Sequence, residues 1–62
     1  MKRNQLIQLL ENHDCAFKRE GSNHSIYMNL KTGKRTAIPR HSEIKDSLCN
    51  EICKQLEVPK IK

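Results

Sequence analysis

His13, His24 and His41 are the side chains of this 62-residue chain best suited to moving protons. They stand among twelve Lys and Arg against seven Asp and Glu, a formal net charge of +5. An imidazole accepts or releases a proton near neutral pH, and Lys and Arg hold a phosphate and stabilise charge that develops on it. Those are the two components of metal-free RNA cleavage: a base for the 2′-hydroxyl and cations around the phosphoryl oxygens. The three histidines differ in setting. His13 lies in a predicted turn beside Asp14 and reads as a surface residue, and His41 follows Pro39-Arg40 at the mouth of a predicted helix. His24 opens a predicted strand immediately after Gly21-Ser22-Asn23, where a turn exposes it beside the basic part of the chain. From spacing alone two readings of His24 stand: a proton-transfer group, or a histidine that hydrogen-bonds its own turn. The sequence has no Gly-rich phosphate loop, no G-x-S-x-G elbow and no His-Glu-x-x-His, and its cysteines lack the partners of a thiol protease.

The positive charge is concentrated. Residues 1–14 are neutral overall, and so are residues 41–62. Residues 15–40 carry Lys18, Arg19, Lys31, Lys34, Arg35 and Arg40 against Glu20 alone, and therefore the whole excess. A directed basic surface and a polyanionic partner follow from that clustering, with ordinary solvated lysines as the plainer alternative. Three cysteines, an odd number with no secretory leader, point to a reducing, cytoplasmic setting. Cys49 and Cys53 are four residues apart on a predicted helix but lack a second pair at zinc-finger spacing. No metal or other cofactor is expected, and the cysteines read as small buried hydrophobes. No apolar run approaches the roughly 18 residues of a membrane span.

The elements that must hold these groups can be read from periodicity. The length predicts a single domain over residues 1–62. Leu6, Leu9 and Leu10, with Ile7 beside them, predict a helix over 4–12, with Asn4 as a candidate cap. Residues 15–19 read as a strand with Cys15 and Phe17 on one side and Ala16 and Lys18 on the other. Gly21 is expected to supply a left-handed turn residue. A second strand over 24–30 alternates His24, Ile26, Met28 and Leu30 against Ser25, Tyr27 and Asn29. The alternation places Ile26 and Met28 under the helices and Tyr27 on the open sheet face, where it either stacks an unpaired base or simply packs. Lys31-Thr32-Gly33 predicts a hairpin loop, and a third strand over 34–38 ends at Pro39. Ile44, Leu48, Ile52 and Leu56, widened by Cys49 and Cys53, predict a closing helix over 42–56 with Ser42 as its cap and Glu43 and Asp46 in its first turn. The order α-β-β-β-α predicts an α+β, two-layer fold: a three-stranded antiparallel sheet with both helices on one face.

The ordered set Gly21-Ser22-Asn23-His24-Ser25-Ile26-Tyr27, Ile38-Pro39-Arg40-His41 and Glu43-Ile44-Lys45 resembles the HicA family of toxin-antitoxin systems. The family pattern is a glycine-serine(-asparagine)-histidine turn into a strand, a later proline-x-histidine and a closing amphipathic helix, and the likeness spans essentially the whole chain. It implies a small endoribonuclease with a double-stranded-RNA-binding-domain-like fold that cleaves mRNA, arrests growth, and is neutralised by a HicB-like antitoxin covering the active histidine. It also implies that His24 is catalytic. Many relatives have a glycine before the first strand's aromatic residue; here Asp14-Cys15-Ala16-Phe17 stands in its place, so Asn12, His13 or Asp14 must make that turn. Together with the charge pattern, the resemblance gives Lys18, Arg19, Ser22, Asn23, Tyr27, Lys34, Arg35, Arg40 and His41 as candidate RNA-binding residues. A non-catalytic nucleic-acid-binding module is the alternative, expected to bind RNA in a strongly salt-dependent way without cutting it. A third reading is a protein-interaction subunit whose basic face meets an acidic partner.

Overall fold

Leucines at i and i+4 and strands rich in alternating residues sort this chain into helix and sheet, and the computed structural model, which describes residues 1–59, shows where each element settles. The order is α1 (Arg3–Asn12), β1 (Cys15–Glu20), β2 (His24–Asn29), β3 (Arg35–Pro39) and α2 (Asp46–Gln55). The strands form one antiparallel sheet in the order β1-β2-β3, an α+β fold with the expected α-β-β-β-α sequence of elements. Leu6 and Leu10 of α1, Cys49, Ile52 and Cys53 of α2, and Cys15, Tyr27 and Ile38 of the sheet meet in one core, joined by Ile44, Leu56 and Val58.

The two sheet faces are the reverse of those expected from alternation. Ser25, Tyr27 and Asn29 are buried beneath the helices, whereas Ile26 and Met28 are only half-buried on the open face. The polar members of the covered face are all satisfied, which removes most of the cost of burying them. Ser25 Oγ accepts from Arg3, Asn29 Nδ2 donates to the Leu56 carbonyl at 2.7 Å, and Thr36 Oγ1 donates to Gln55 Oε1. Tyr27, 7% exposed, packs edge-on against Phe17 at 5.8 Å between ring centroids, so it is not an open-face stacking platform. A register shift between Phe17 and Arg19 leaves Lys18 as the bulged residue and brings Arg19 opposite Ile26, on the open face.

Both helix starts differ from their expected caps. Asn4 lies inside α1 and Lys2 precedes it; Lys45 precedes α2; neither flanking residue makes a side-chain cap bond. Residues 42–45 are not helical, because they pair with the start of the chain instead. Lys2 and Glu43 form an isolated antiparallel bridge, the Arg3 amide donates to the Ser42 carbonyl at 2.9 Å, and the Ile44 amide donates to the Met1 carbonyl at 2.8 Å. The later helix start turns the buried stripe to Cys49, Ile52, Cys53 and Leu56 and leaves Leu48 39% exposed. Leu30 falls outside β2, in the β2–β3 turn, and is exposed.

Both helices end on a left-handed residue that is not glycine. Asp14 takes φ 66° after α1 and thereby makes the turn for which the sequence lacks a glycine. After α2, Glu57 takes φ 58° while its amide donates to the Lys54 carbonyl and that of Val58 to the Cys53 carbonyl, the Schellman pattern. Gly33 (φ 79°) is the left-handed residue of the β2–β3 turn. Gly21 is not in the left-handed region; a Cβ there would meet the His24 carbonyl oxygen at 3.3 Å, so close backbone approach is what the β1–β2 turn asks of it.

Candidate active site

His24 is the first residue of β2 and lies opposite Pro39, the last residue of β3, with its side chain exposed. The turn before it is closed by the Gly21 amide, which donates to the His24 carbonyl at 2.7 Å. On the other side of this pair the chain leaves β3 through Arg40 and His41. Asn23, Arg40 and His41 line a cleft of about 380 Å³. The β1–β2 turn and the exit of β3 thus bring Asn23, His24, Arg40 and His41 to one end of the sheet, although the two histidines are seventeen positions apart in sequence.

A polar chain braces this end. Arg3 Nε donates to the Pro39 carbonyl at 2.8 Å and its Nη2 to Ser25 Oγ at 3.0 Å. Ser25 Oγ in turn donates to Glu20 Oε1 at 3.3 Å. The same carboxylate oxygen receives Arg40 Nη2, which also donates to the Gly21 carbonyl at 3.1 Å. Arg40 is therefore engaged with the turn rather than extended into solvent as a free cation. Arg3 and Glu20 are the members of the site that sequence reasoning missed. Arg3 sat in a segment of zero net charge, and Glu20 registered only as a subtraction from the basic excess.

The remaining cations run away from His24 along the open face. Arg19 lies opposite Ile26, two residues along β2, and Arg35 lies opposite Met28, four residues along. At the usual rise per strand residue this spans roughly 13 Å. Among the described residues, Lys18, Arg19, Lys34 and Arg35 are in no ion pair, whereas Arg40 pairs with Glu20 and Lys31 with Asp14. Ser22 is exposed in the turn itself. Lys34 is at the far end, its carbonyl accepting from the Asn29 amide. His13 follows α1 and is not part of the His24 end.

The thiols lie elsewhere, in the core. Cys15, Cys49 and Cys53 are free and buried, and burial pushes all three thiols up from their ordinary range, with Asp14 adding to the effect at Cys15. A protonated, enclosed thiol is a poor nucleophile. Burial also raises the Tyr27 phenol, against a smaller opposing influence of Arg3. No cluster of three or more metal-ligating side chains occurs among the described residues.

A family model described as the HicA toxin of bacterial toxin-antitoxin systems matches residues 3–58, from the first residue of α1 to beyond the end of α2. The chain belongs to the HicA toxin family. It is accordingly a toxin of a toxin-antitoxin system, with an antitoxin as its general class of partner. No curated protein and no solved structure matches it. Among the described residues of this HicA toxin, no helix is long and apolar enough to cross a membrane.

Proposed function

We propose that this HicA toxin is an endoribonuclease that cleaves mRNA with His24 as the proton-transfer residue, and that a HicB-like antitoxin neutralises it by covering the same face. The observation that carries this reading is the exposed His24 at the end of the open sheet face, beside the cleft of Asn23, Arg40 and His41. The RNA backbone lies along Arg19 and Arg35, which are in no ion pair among the described residues, with Lys18 and Lys34 nearby, and its scissile phosphate sits at the His24 end. Asn23 and Ser22 offer hydrogen bonds to the phosphate and sugar there. In the reaction, a base takes the proton of the 2′-hydroxyl, the 2′-oxygen attacks phosphorus, and the 5′-oxygen leaves with a proton from an acid. Atoms balance as one 2′,3′-cyclic phosphate end and one 5′-hydroxyl end. His24 carries one of these transfers, and His41, which lines the cleft at the same end of the sheet, is the candidate for the other. Arg19, two strand residues from His24 on the open face, supplies electrostatic stabilisation of the phosphoryl oxygens, so the step as written uses no metal.

Incubating the purified chain with a long RNA in chelator, beside the His24→Ala variant, tests this. Fragments from the wild type and none from the variant are expected. Salt-sensitive RNA binding without fragments under any condition replaces the enzyme with a non-catalytic binding module.

A further inference from the structure

Arg3 reaches both histidine-bearing segments at once. Its guanidinium donates from Nη2 to the hydroxyl of Ser25, the residue after His24, and from Nε to the carbonyl of Pro39, two residues before His41. Its backbone amide donates to the carbonyl of Ser42, the residue after His41. One residue of α1 is therefore bonded on both sides of the Arg40–His41 segment and to the strand residue that follows His24. From Ser25 the chain of bonds continues through Glu20 to Arg40 and back to the Gly21 carbonyl, so the turn before His24 is held from outside rather than by its own residues alone.

We infer that Arg3 is the positioning residue of this site: it fixes the His24 turn and the His41 segment relative to each other, while touching neither substrate nor the reacting atoms. The inference rests on the assignment of His24 to RNA cleavage. Arginine suits the task because its planar fork serves two acceptors on two different strands, whereas a lysine ammonium on a flexible stem satisfies one of them at a time. The Pro39 carbonyl lies at the end of an edge strand, and Ser25 is 3% exposed. The Pro39 carbonyl therefore takes its side-chain partner from α1, and the enclosed Ser25 hydroxyl is held between Arg3 of α1 and Glu20 of β1. Holding α1 on the sheet does not depend on Arg3, since Leu6 and Leu10 are fully buried in the core. That separation makes a positioning role distinguishable from a role in folding.

The test compares the wild type with Arg3→Met, Arg3→Lys, Ser25→Ala and the Arg3→Met/Ser25→Ala double variant, with His24→Ala as reference. Cleavage of a long RNA is measured as kcat and KM, and backbone ¹⁵N order parameters are recorded along the chain. Arg3→Met is expected to lower kcat by roughly 10- to 100-fold, the cost of a small misplacement of reacting groups, with KM within about threefold. Arg3→Lys recovers part of the loss and Ser25→Ala reproduces part of it. The double variant is no slower than Arg3→Met alone, because the two residues act through one connection. Order parameters at residues 22–25 and 40–42 fall into the flexible range, below roughly 0.6, while those of Leu6–Leu10 stay near 0.85.

The inference is overturned if folded Arg3→Met keeps kcat within about twofold of wild type in an assay where His24→Ala is inactive. It is overturned equally if mobility spreads through α1, because Arg3 is then a fold-stabilising residue. A wild type that cuts no RNA, or a fully active His24→Ala, removes the assignment of His24 instead. The joint between the two segments is then judged on the order parameters, and unchanged values at 22–25 and 40–42 overturn it.

Discussion

The two ends of the sheet are closed in opposite ways. At the far end, the β2–β3 turn satisfies itself with residues close in sequence: the Asn29 amide donates to Lys34, Gly33 donates back to Asn29, and Asn29 Oδ1 accepts from the Lys31 amide. Asn29 then reaches the carbonyl at the C-terminus of α2, and Asp14 pairs with Lys31 at 3.0 Å. At the His24 end, the turn makes one short backbone bond of its own and is otherwise braced by Arg3 and Arg40 from two distant places in the chain, both acting through the network of Glu20, the residue just before the turn. One end is a fastening for the fold. The other holds exposed polar side chains whose placement depends on long-range contacts, which is the arrangement expected of a site on a rigid scaffold.

Changes at the His24 end are therefore expected to alter activity and changes at the Asn29 end to alter stability. The largest effect is expected for His24→Ala, a loss of cleavage of roughly 10²- to 10⁴-fold with little change in thermal midpoint, because the side chain is exposed. Cleavage at the wild-type rate in that variant would remove catalysis from the His24 end of the sheet. Asn29→Ala should do the reverse. It leaves the Leu56 carbonyl and the Lys31 amide without their partner and should cost about 1–3 kcal/mol, with activity per folded molecule unchanged; denaturant titration read beside cleavage checks both halves.

The core between the two ends should weaken in alkali. Unfolded thiols release protons in their ordinary range, while Cys15, Cys49 and Cys53 hold theirs to higher pH because they are buried, and Tyr27 behaves likewise in its own range. The unfolded state then binds fewer protons than the folded one, so stability is fully present below about pH 8.5 and declines as pH rises through the folded-state values. Thermal midpoints measured in reductant from neutral to alkaline pH should fall steadily; a flat profile would mean that the thiols are not enclosed. The smallest effect is expected at the end of α2. Glu57→Gly relieves the left-handed conformation at φ 58° and should raise stability by about 0.5–1 kcal/mol, visible as a higher denaturant midpoint with an unchanged slope.

Much of the fold was legible because it rests on short-range periodicity. Leu6 and Leu10 marked α1, the Gly21 and Gly33 turns marked the hairpins, and Ile52, Cys53 and Leu56 marked the buried side of α2. The misreadings of the helix start and of the sheet faces share one physical cause: a partner distant in sequence changed the local outcome. Ser42 to Lys45 have the residues of a helix start but pair with Met1 to Arg3. Ser25, Asn29 and Thr36 look like solvent-facing residues but are buried, because Arg3, the end of α2 and Gln55 satisfy them. That exchange of faces carried Tyr27 into the core and moved Ile26 and Met28 to the open side.

Sequence alone determined the concentration of positive charge between residues 15 and 40, the order of the five elements and the place of His24 at the start of a strand. These follow from composition and from side-chain periods of 2 and 3.6, which need no knowledge of distant contacts. Tertiary structure alone decided which sheet face is covered, that Arg40 is spent on the turn, and that His24 and His41 share one end of the sheet. Those outcomes depend on pairing between groups far apart in the chain, above all on the three hydrogen bonds of Arg3, and no local pattern encodes them.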